Sequence, residues 1–151
     1  MRTTQIKVDG ALSRYLGAGV RSTHEASAYL ERRGVPREEA ARSIRAFQQR
    51  SLLEDRACAR LWAEHWARRG YAASAIRLKL AAKGLAALTI AEATRKCAEP
   101  AEEEQRARRV AAQPAHRGAD GRRIARLART LALRGFDADV IEQVLGEPFE
   151  R

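Results

Sequence analysis

Arg122, Arg126 and Arg129 recur at i, i+4 and i+7, so they share one side of a helix, opposite Ile124, Leu127 and Leu131, with Arg123 beside them. A guanidinium is planar, permanently charged and forms paired hydrogen bonds, so a stripe of this kind can track phosphate oxygens or carboxylates. A second basic set, Arg68, Arg69, Arg77, Lys79 and Lys83, surrounds a turn in the middle of the chain, with Arg77 and Lys79 projecting away from Ile76 and Leu80. Arg69 and Lys83 stand at helix ends, where a cation is expected to cap free carbonyls. Trp62 and Trp66 could stack on bases, but they fall on an apolar helix face, which favours packing. The remaining reactive residues form no catalytic constellation. His24 lies in a cap region, His65 on an apolar face and His116 in a loop, and the three do not cluster with acids or cysteines in a catalytic pattern. Cys58 and Cys97 make no Cys-x-x-Cys pair and have no histidine at metal-ligand spacing, so both read as apolar packing residues. There is no Gly-rich phosphate loop and no nucleophile elbow, and the Glu102 to Glu104 run suits the positive end of a helix dipole. The chain is therefore expected not to be an enzyme, and to need neither cofactor nor metal.

The charge balance points to a polyanionic partner. The 151 residues carry a net charge of +10, which attracts nucleic acid first and an acidic protein face or anionic lipid next. Residues 1–50 hold ten basic and five acidic groups, 51–105 nine and eight, and 106–151 ten and six, so the excess sits at the two ends. No apolar run has the length of a signal core or a membrane span, and a cytoplasmic bacterial protein is expected.

These side chains must be positioned by helices. Ala, Leu, Arg and Glu dominate, β-branched residues are few, and no alternating run reaches strand length, so an all-α chain is expected. A helix begins at Asp55 and places Cys58, Leu61, Trp62, His65 and Trp66 on its inward face. Gly70 ends it, and Tyr71 should pack back on Trp66 in a Schellman ending. The same ending recurs as Leu30-x-x-x-Gly34-Val35, Leu80-x-x-x-Gly84-Leu85 and Leu131-x-x-x-Gly135-Phe136, at separations of 50 and 51 residues. A further helix is signalled after each glycine. Ala40, Ile90 and Ile141 lie six residues past it and Ile44, Thr94 and Leu145 ten past it, with Thr94 the weakest match.

Three tandem three-helix repeats follow, over 1–50, 51–98 and 99–151, forming an elongated, curved array. In the first, residues 1–8 are a frayed start, a short helix covers Asp9 to Leu16, and Ser22 with Glu25 forms a capping box. Ile44 and Phe47 supply a core stripe in its third helix. Pro100 opens the last repeat, Gln113 to Gly121 is the one candidate joint, Asp137 is a cap, and Gly146 with Pro148 marks the exit.

The central copy also resembles the RecX regulatory proteins. The resemblance is carried by Leu52-Leu53-Glu54-Asp55, Ala59-Arg60-Leu61-Trp62, Arg69-Gly70-Tyr71, Ile76-Arg77 and Leu80-Ala81-Ala82-Lys83-Gly84-Leu85. Leu131 to Phe136, with Val140-Ile141, is similar to the family's C-terminal repeat, and the likeness spans about residues 10–146. It implies a negative modulator of the RecA recombinase that lies along the RecA filament on DNA. Such a protein limits filament assembly and suppresses ATP hydrolysis, strand exchange and coprotease activity. The implied partners are that filament and single- or double-stranded DNA of weak sequence preference, with no membrane, and a monomer is expected. Charge alone leaves two other readings open, a nucleic-acid-binding repeat protein that needs no RecA and a helical scaffold for another acidic protein.

Overall fold

The structure, a computed structural model, describes residues 2–116 and 120–146. Among them there is no strand. The helices are α1 (Arg2–Gly17), α2 (Thr23–Arg32), α3 (Arg37–Gln49), α4 (Asp55–Arg68), α5 (Ala73–Ala82), α6 (Ala87–Thr94), α7 (Pro100–Ala111), α8 (Gly121–Leu133) and α9 (Ala138–Gly146), with a 3-10 turn at Pro114–His116. They pack as two compact units. The first takes the chain as far as Trp62 together with Leu80–Ile90, and the second takes Ala63–Lys79 with the chain from Ala91 onward.

Helix endings follow the glycine pattern. Gly34, Gly70, Gly84 and Gly135 have φ of 76°, 84°, 72° and 91°, the left-handed region where a side chain is disfavoured. The residue after the glycine returns its amide to the carbonyl five residues back, Val35 to Leu30, Tyr71 to Trp66 and Phe136 to Leu131, each at 3.1 Å. Tyr71 does meet Trp66, edge to face, with ring centres 5.3 Å apart. A further ending of the same kind lacks a glycine: Ser51 takes φ of 55° and the Leu52 amide reaches the Phe47 carbonyl at 2.9 Å.

In the first unit, Val8, Leu12, Ala26, Leu30, Ala40, Ile44, Phe47 and Leu53 form the core. Val8 lies in the stretch expected to be frayed. The helix starts seven residues earlier than Asp9 because Val8 buries its side chain here and because Asp9 accepts from Gln5 and from Ser43, whose hydroxyl is 2.5 Å away. The expected capping box is present: Ser22 Oγ accepts from the Glu25 amide at 3.1 Å and the Glu25 carboxylate accepts from the Ser22 amide at 3.0 Å. The inward face of α4 is turned from the one expected. Cys58 and Ala59 are buried, whereas Leu61 is 45 % exposed beside a groove of about 430 Å³ shared with Leu16, Val20 and Leu52.

In the second unit, Ala72, Ala107, Val110, Ala111, Leu127, Leu131, Phe136 and Val144 form the core. Ala63 and Ile76 are also buried there. Thr94, the poorest match in the sequence pattern, is fully buried, and its hydroxyl accepts from Arg77 Nε at 3.3 Å. Arg106 is 3 % exposed. Its guanidinium donates to the carbonyls of Tyr71 at 2.8 Å and Cys97 at 2.6 Å and lies 3.8 Å from the Glu103 carboxylate, so a buried charge is fully engaged. The joint expected over Gln113 to Gly121 lies partly outside the described residues. Asp120 accepts the Arg122 amide at 3.2 Å as the N-cap of α8, and Asp137 accepts the Val140 amide at 3.0 Å. Pro148 lies outside the described residues.

Each unit contains one joint where a helix end with a glycine meets the start of an earlier helix. In the first unit, Ser22 Oγ donates to the Lys83 carbonyl at 2.5 Å and Asp55 accepts the Thr23 amide at 2.7 Å. A Cβ on Gly84 would fall 2.2 Å from the His24 ring. In the second unit, the Ala72 amide donates to the Arg134 carbonyl at 2.9 Å, Ser74 Oγ to the Gly135 carbonyl at 2.7 Å, and Glu103 accepts the Ala73 amide at 2.7 Å. A Cβ on Gly135 would fall 2.8 Å from Ala75 Cβ. Positions 22, 23 and 24 correspond to 72, 73 and 74, fifty residues on. Glu103 therefore caps α5 as well as favouring the start of its own helix, a role the dipole argument does not capture.

Candidate partner-binding surfaces

The two basic sets differ in what their charges touch. A cation precedes each of the four left-handed glycines, at Arg33, Arg69, Lys83 and Arg134, and each lies over an aromatic ring. In the first unit, Lys83 Nζ is 4.1 Å from the centre of Trp62 and 3.4 Å from the Glu25 carboxylate, while Arg33 lies 5.5 Å from Tyr29. Trp62 in turn donates from Nε1 to the Val20 carbonyl at 3.1 Å. In the second unit, Arg69 is 5.8 Å from Trp66 and Arg134 is 5.4 Å from Tyr71. Lys79 Nζ sits between the same two rings, 4.3 Å from Trp66 and 4.5 Å from Tyr71. Contacts of this type contribute roughly 0.5–2 kcal/mol each, depending on desolvation.

This arrangement corrects two expectations. Trp62 and Trp66 are half-buried with cations on them, so they belong to the wall of each unit and not to its centre. Arg69 and Lys83 lay their side chains on rings. The side chain that caps the end of α4 is Arg134, whose guanidinium donates to the Arg69 carbonyl. Sequence reasoning missed Arg134 and Arg106. The basic residue before each glycine, paired with an aromatic nearby, was the available signal for the first. No sequence signal marks Arg106 apart from Arg108 and Arg109 on the same helix.

Arg68 and Arg77 are exposed, with Arg77 also held on Thr94. On α8, Arg122, Arg123, Arg126 and Arg129 are all exposed, while Leu127 and Leu131 are buried beneath them. Among the described residues, no ion pair or ring contact engages Arg122, Arg126 or Arg129. The stripe therefore offers its charge outward. Arg108, by contrast, is paired with Glu104 one turn away.

The thiols are shielded. Burial, aided by the nearby Glu25 carboxylate, pushes Cys58 up to about 11, and burial also raises Cys97. Neither is poised as a nucleophile at neutral pH. Among the described residues, no group of three or more His, Cys, Asp or Glu could hold a metal ion, and no helix is long and apolar enough to cross a membrane.

No protein-family model and no curated protein sequence matches the chain. Solved structures do. The crystal structure of RecX from Lactobacillus salivarius superimposes with a TM-score of 0.80 at 17 % identity, covering 97 % of each chain. The crystal structure of a regulatory protein RecX gives 0.77 at 21 % identity, covering 95 % of this chain and 72 % of that one. These superpositions, over 97 % and 95 % of this chain, give it the all-helical fold of those RecX structures.

Proposed function

We propose that this chain is a negative modulator of the RecA recombinase, acting on the RecA filament on DNA to limit its assembly and to suppress ATP hydrolysis, strand exchange and coprotease activity. The observation that carries the reading is the fold shared with RecX along 97 % of both chains, joined to the central signature residues Leu52 to Leu85. The segments 1–50, 51–98 and 99–151 are three copies of one helical unit in this proposal. The two joints support it, since equivalent residues fifty apart meet equivalent glycine turns. The protein acts in the cytoplasm as a monomer without catalysing a reaction of its own. Its affinity comes from several modest contacts made at once with filament protein and DNA.

Within the basic residues the α8 stripe, Arg122, Arg126 and Arg129 with Arg123 beside it, is the leading contact surface, because among the described residues no ion pair or ring contact engages Arg122, Arg126 or Arg129. Arg68, Arg69, Arg77, Lys79 and Lys83 are a secondary surface whose charges partly serve the fold. The test is RecA ATP hydrolysis on single-stranded DNA, with preassembled filaments and this protein titrated at substoichiometric ratios. Inhibition well below one molecule per RecA is expected. No inhibition, with salt-sensitive binding to bare DNA, replaces this reading with RecA-independent nucleic-acid binding.

A further inference from the structure

We infer that the outer face of α8 docks an acidic segment of a partner protein that carries an apolar side chain, and that Leu133 is the anchor for that side chain. The inference rests on the reading above only in taking the partner to be a protein. Arg122, Arg126, Arg129 and Leu133 are spaced by four, three and four residues, so they form one continuous line on the helix. The line is about 16 Å long, from eleven steps of helical rise. Leu133 is 78 % exposed at its end, directly before Arg134, which is turned inward onto Tyr71 and the Arg69 carbonyl.

An exposed leucine alone would mean little. Its position gives it meaning. Two residues before the other left-handed glycines stand Arg32, Arg68 and Ala82, so only the end of α8 places a large apolar group there. A sugar-phosphate backbone can neutralise the three guanidinium groups but has no apolar group to cover the leucine. A protein segment with carboxylates at matching i, i+4 and i+7 positions and an apolar residue a further turn along satisfies all four at once. The charges would speed and orient the encounter, and the leucine contact would set the lifetime of the complex.

The test uses the full chain and a synthetic helical peptide with glutamates at that spacing and a leucine one turn on, followed by fluorescence anisotropy. A glutamine version of the peptide and an oligothymidylate of matching length serve as the other probes. The acidic peptide should bind saturably and the glutamine version at least about tenfold more weakly. Leu133→Ala, at an exposed position in a helix where alanine is well tolerated, should weaken peptide binding about five- to tenfold while leaving oligothymidylate binding unchanged. Leu133→Met should restore it. Absence of saturable peptide binding, or equal binding by wild type and Leu133→Ala, overturns the inference, as does a stripe that binds oligothymidylate alone. RecA is absent from this assay, so its failure leaves filament modulation standing, and a failure of filament modulation leaves this result intact.

Discussion

The two joints solve one problem with different chemistry. In both, the amide end of an earlier helix meets the carbonyl end of a later one, so opposed partial charges and unpaired backbone groups satisfy each other. In the first unit side chains join them. Ser22 accepts from the start of its own helix and donates to the Lys83 carbonyl, Asp55 takes the Thr23 amide, and Lys83 returns to Glu25 and Trp62. In the second unit alanine replaces the serine, and the backbone amide of Ala72 makes the bond directly. Ser74 and Glu103 still supply side-chain bonds there, and two arginines are added, Arg106 donating to the Tyr71 and Cys97 carbonyls and Arg134 to the Arg69 carbonyl. The invariant is the glycine, because it alone allows both the left-handed turn and the close approach. The polar groups around it are interchangeable provided every buried one is paired.

Substitutions can break this comparison at graded cost. Arg106→Ala should be among the most damaging, by about 3 kcal/mol, since it empties a buried side-chain position and leaves the part-buried Tyr71 and Cys97 carbonyls without their donors. Urea unfolding would show it, and a loss under 1 kcal/mol, roughly that of an exposed arginine, would refute the assignment. The glycines come next. Gly135→Ala meets the Ala75 backbone nitrogen at 3.1 Å as well as an unfavourable φ, so about 3 kcal/mol is expected. Gly84→Ala would set its Cβ 2.2 Å from His24 Cγ and 2.4 Å from His24 Cβ, an atom that moves only with the α2 backbone, so a loss of at least about 3 kcal/mol is expected. Gly34→Ala meets nothing within 4 Å and should lose only the conformational cost of about 1 kcal/mol. The gap between Gly34 and the other two in thermal denaturation matters more than the values, and equal losses would mean that close approach at the joints is unimportant.

Serine replacements sharpen the contrast between units. Ser22→Ala removes a cap and the bond to Lys83 together, for about 1–2 kcal/mol. Ser74→Ala removes one exposed bond to Gly135, for about 0.5 kcal/mol.

The smallest effect concerns the thiols. Cys58 keeps its proton to about 11 in the folded protein, while the unfolded chain releases it near the ordinary value of 9.0. Its contribution is therefore fully present below pH 9 and is lost as pH rises toward 11. Stability measured across that window should fall less in Cys58→Ala than in wild type. Because Cys58 lies near Glu25 and Lys83, its rate of modification by a thiol reagent also reports opening of the first joint.

Much of the fold was legible because its punctuation is chemical. Four glycines, the Ser22–Glu25 box and the Asp137 cap each impose a local geometry that a sequence displays directly, whereas Asp55, expected to cap its own helix, gives its carboxylate to the Thr23 amide of α2. The α8 stripe was legible for the same reason, since one helical period places its arginines opposite Leu127 and Leu131. The rotation of α4 was not, because Ala59 and Ala63 carry no hydrophobic signal as strong as Leu61 and Trp62, and packing distance decides between them. Nor was the separation of the basic residues by role. Arg106, Arg134 and Lys79 differ from Arg126 only in what lies across from them, which depends on residues distant in the chain.

That separation is the centre of the account, and one experiment tests it. Inhibition of RecA ATP hydrolysis and thermal stability would be measured side by side for Arg122→Glu/Arg126→Glu/Arg129→Glu and for Arg33→Ala/Arg134→Ala, whose guanidinium groups lie over Tyr29 and Tyr71. The account predicts that the α8 variant loses inhibition with an unchanged melting temperature, whereas the ring-contacting variant melts several degrees lower and still inhibits when folded. An α8 variant that inhibits like wild type, or one that unfolds, would contradict it.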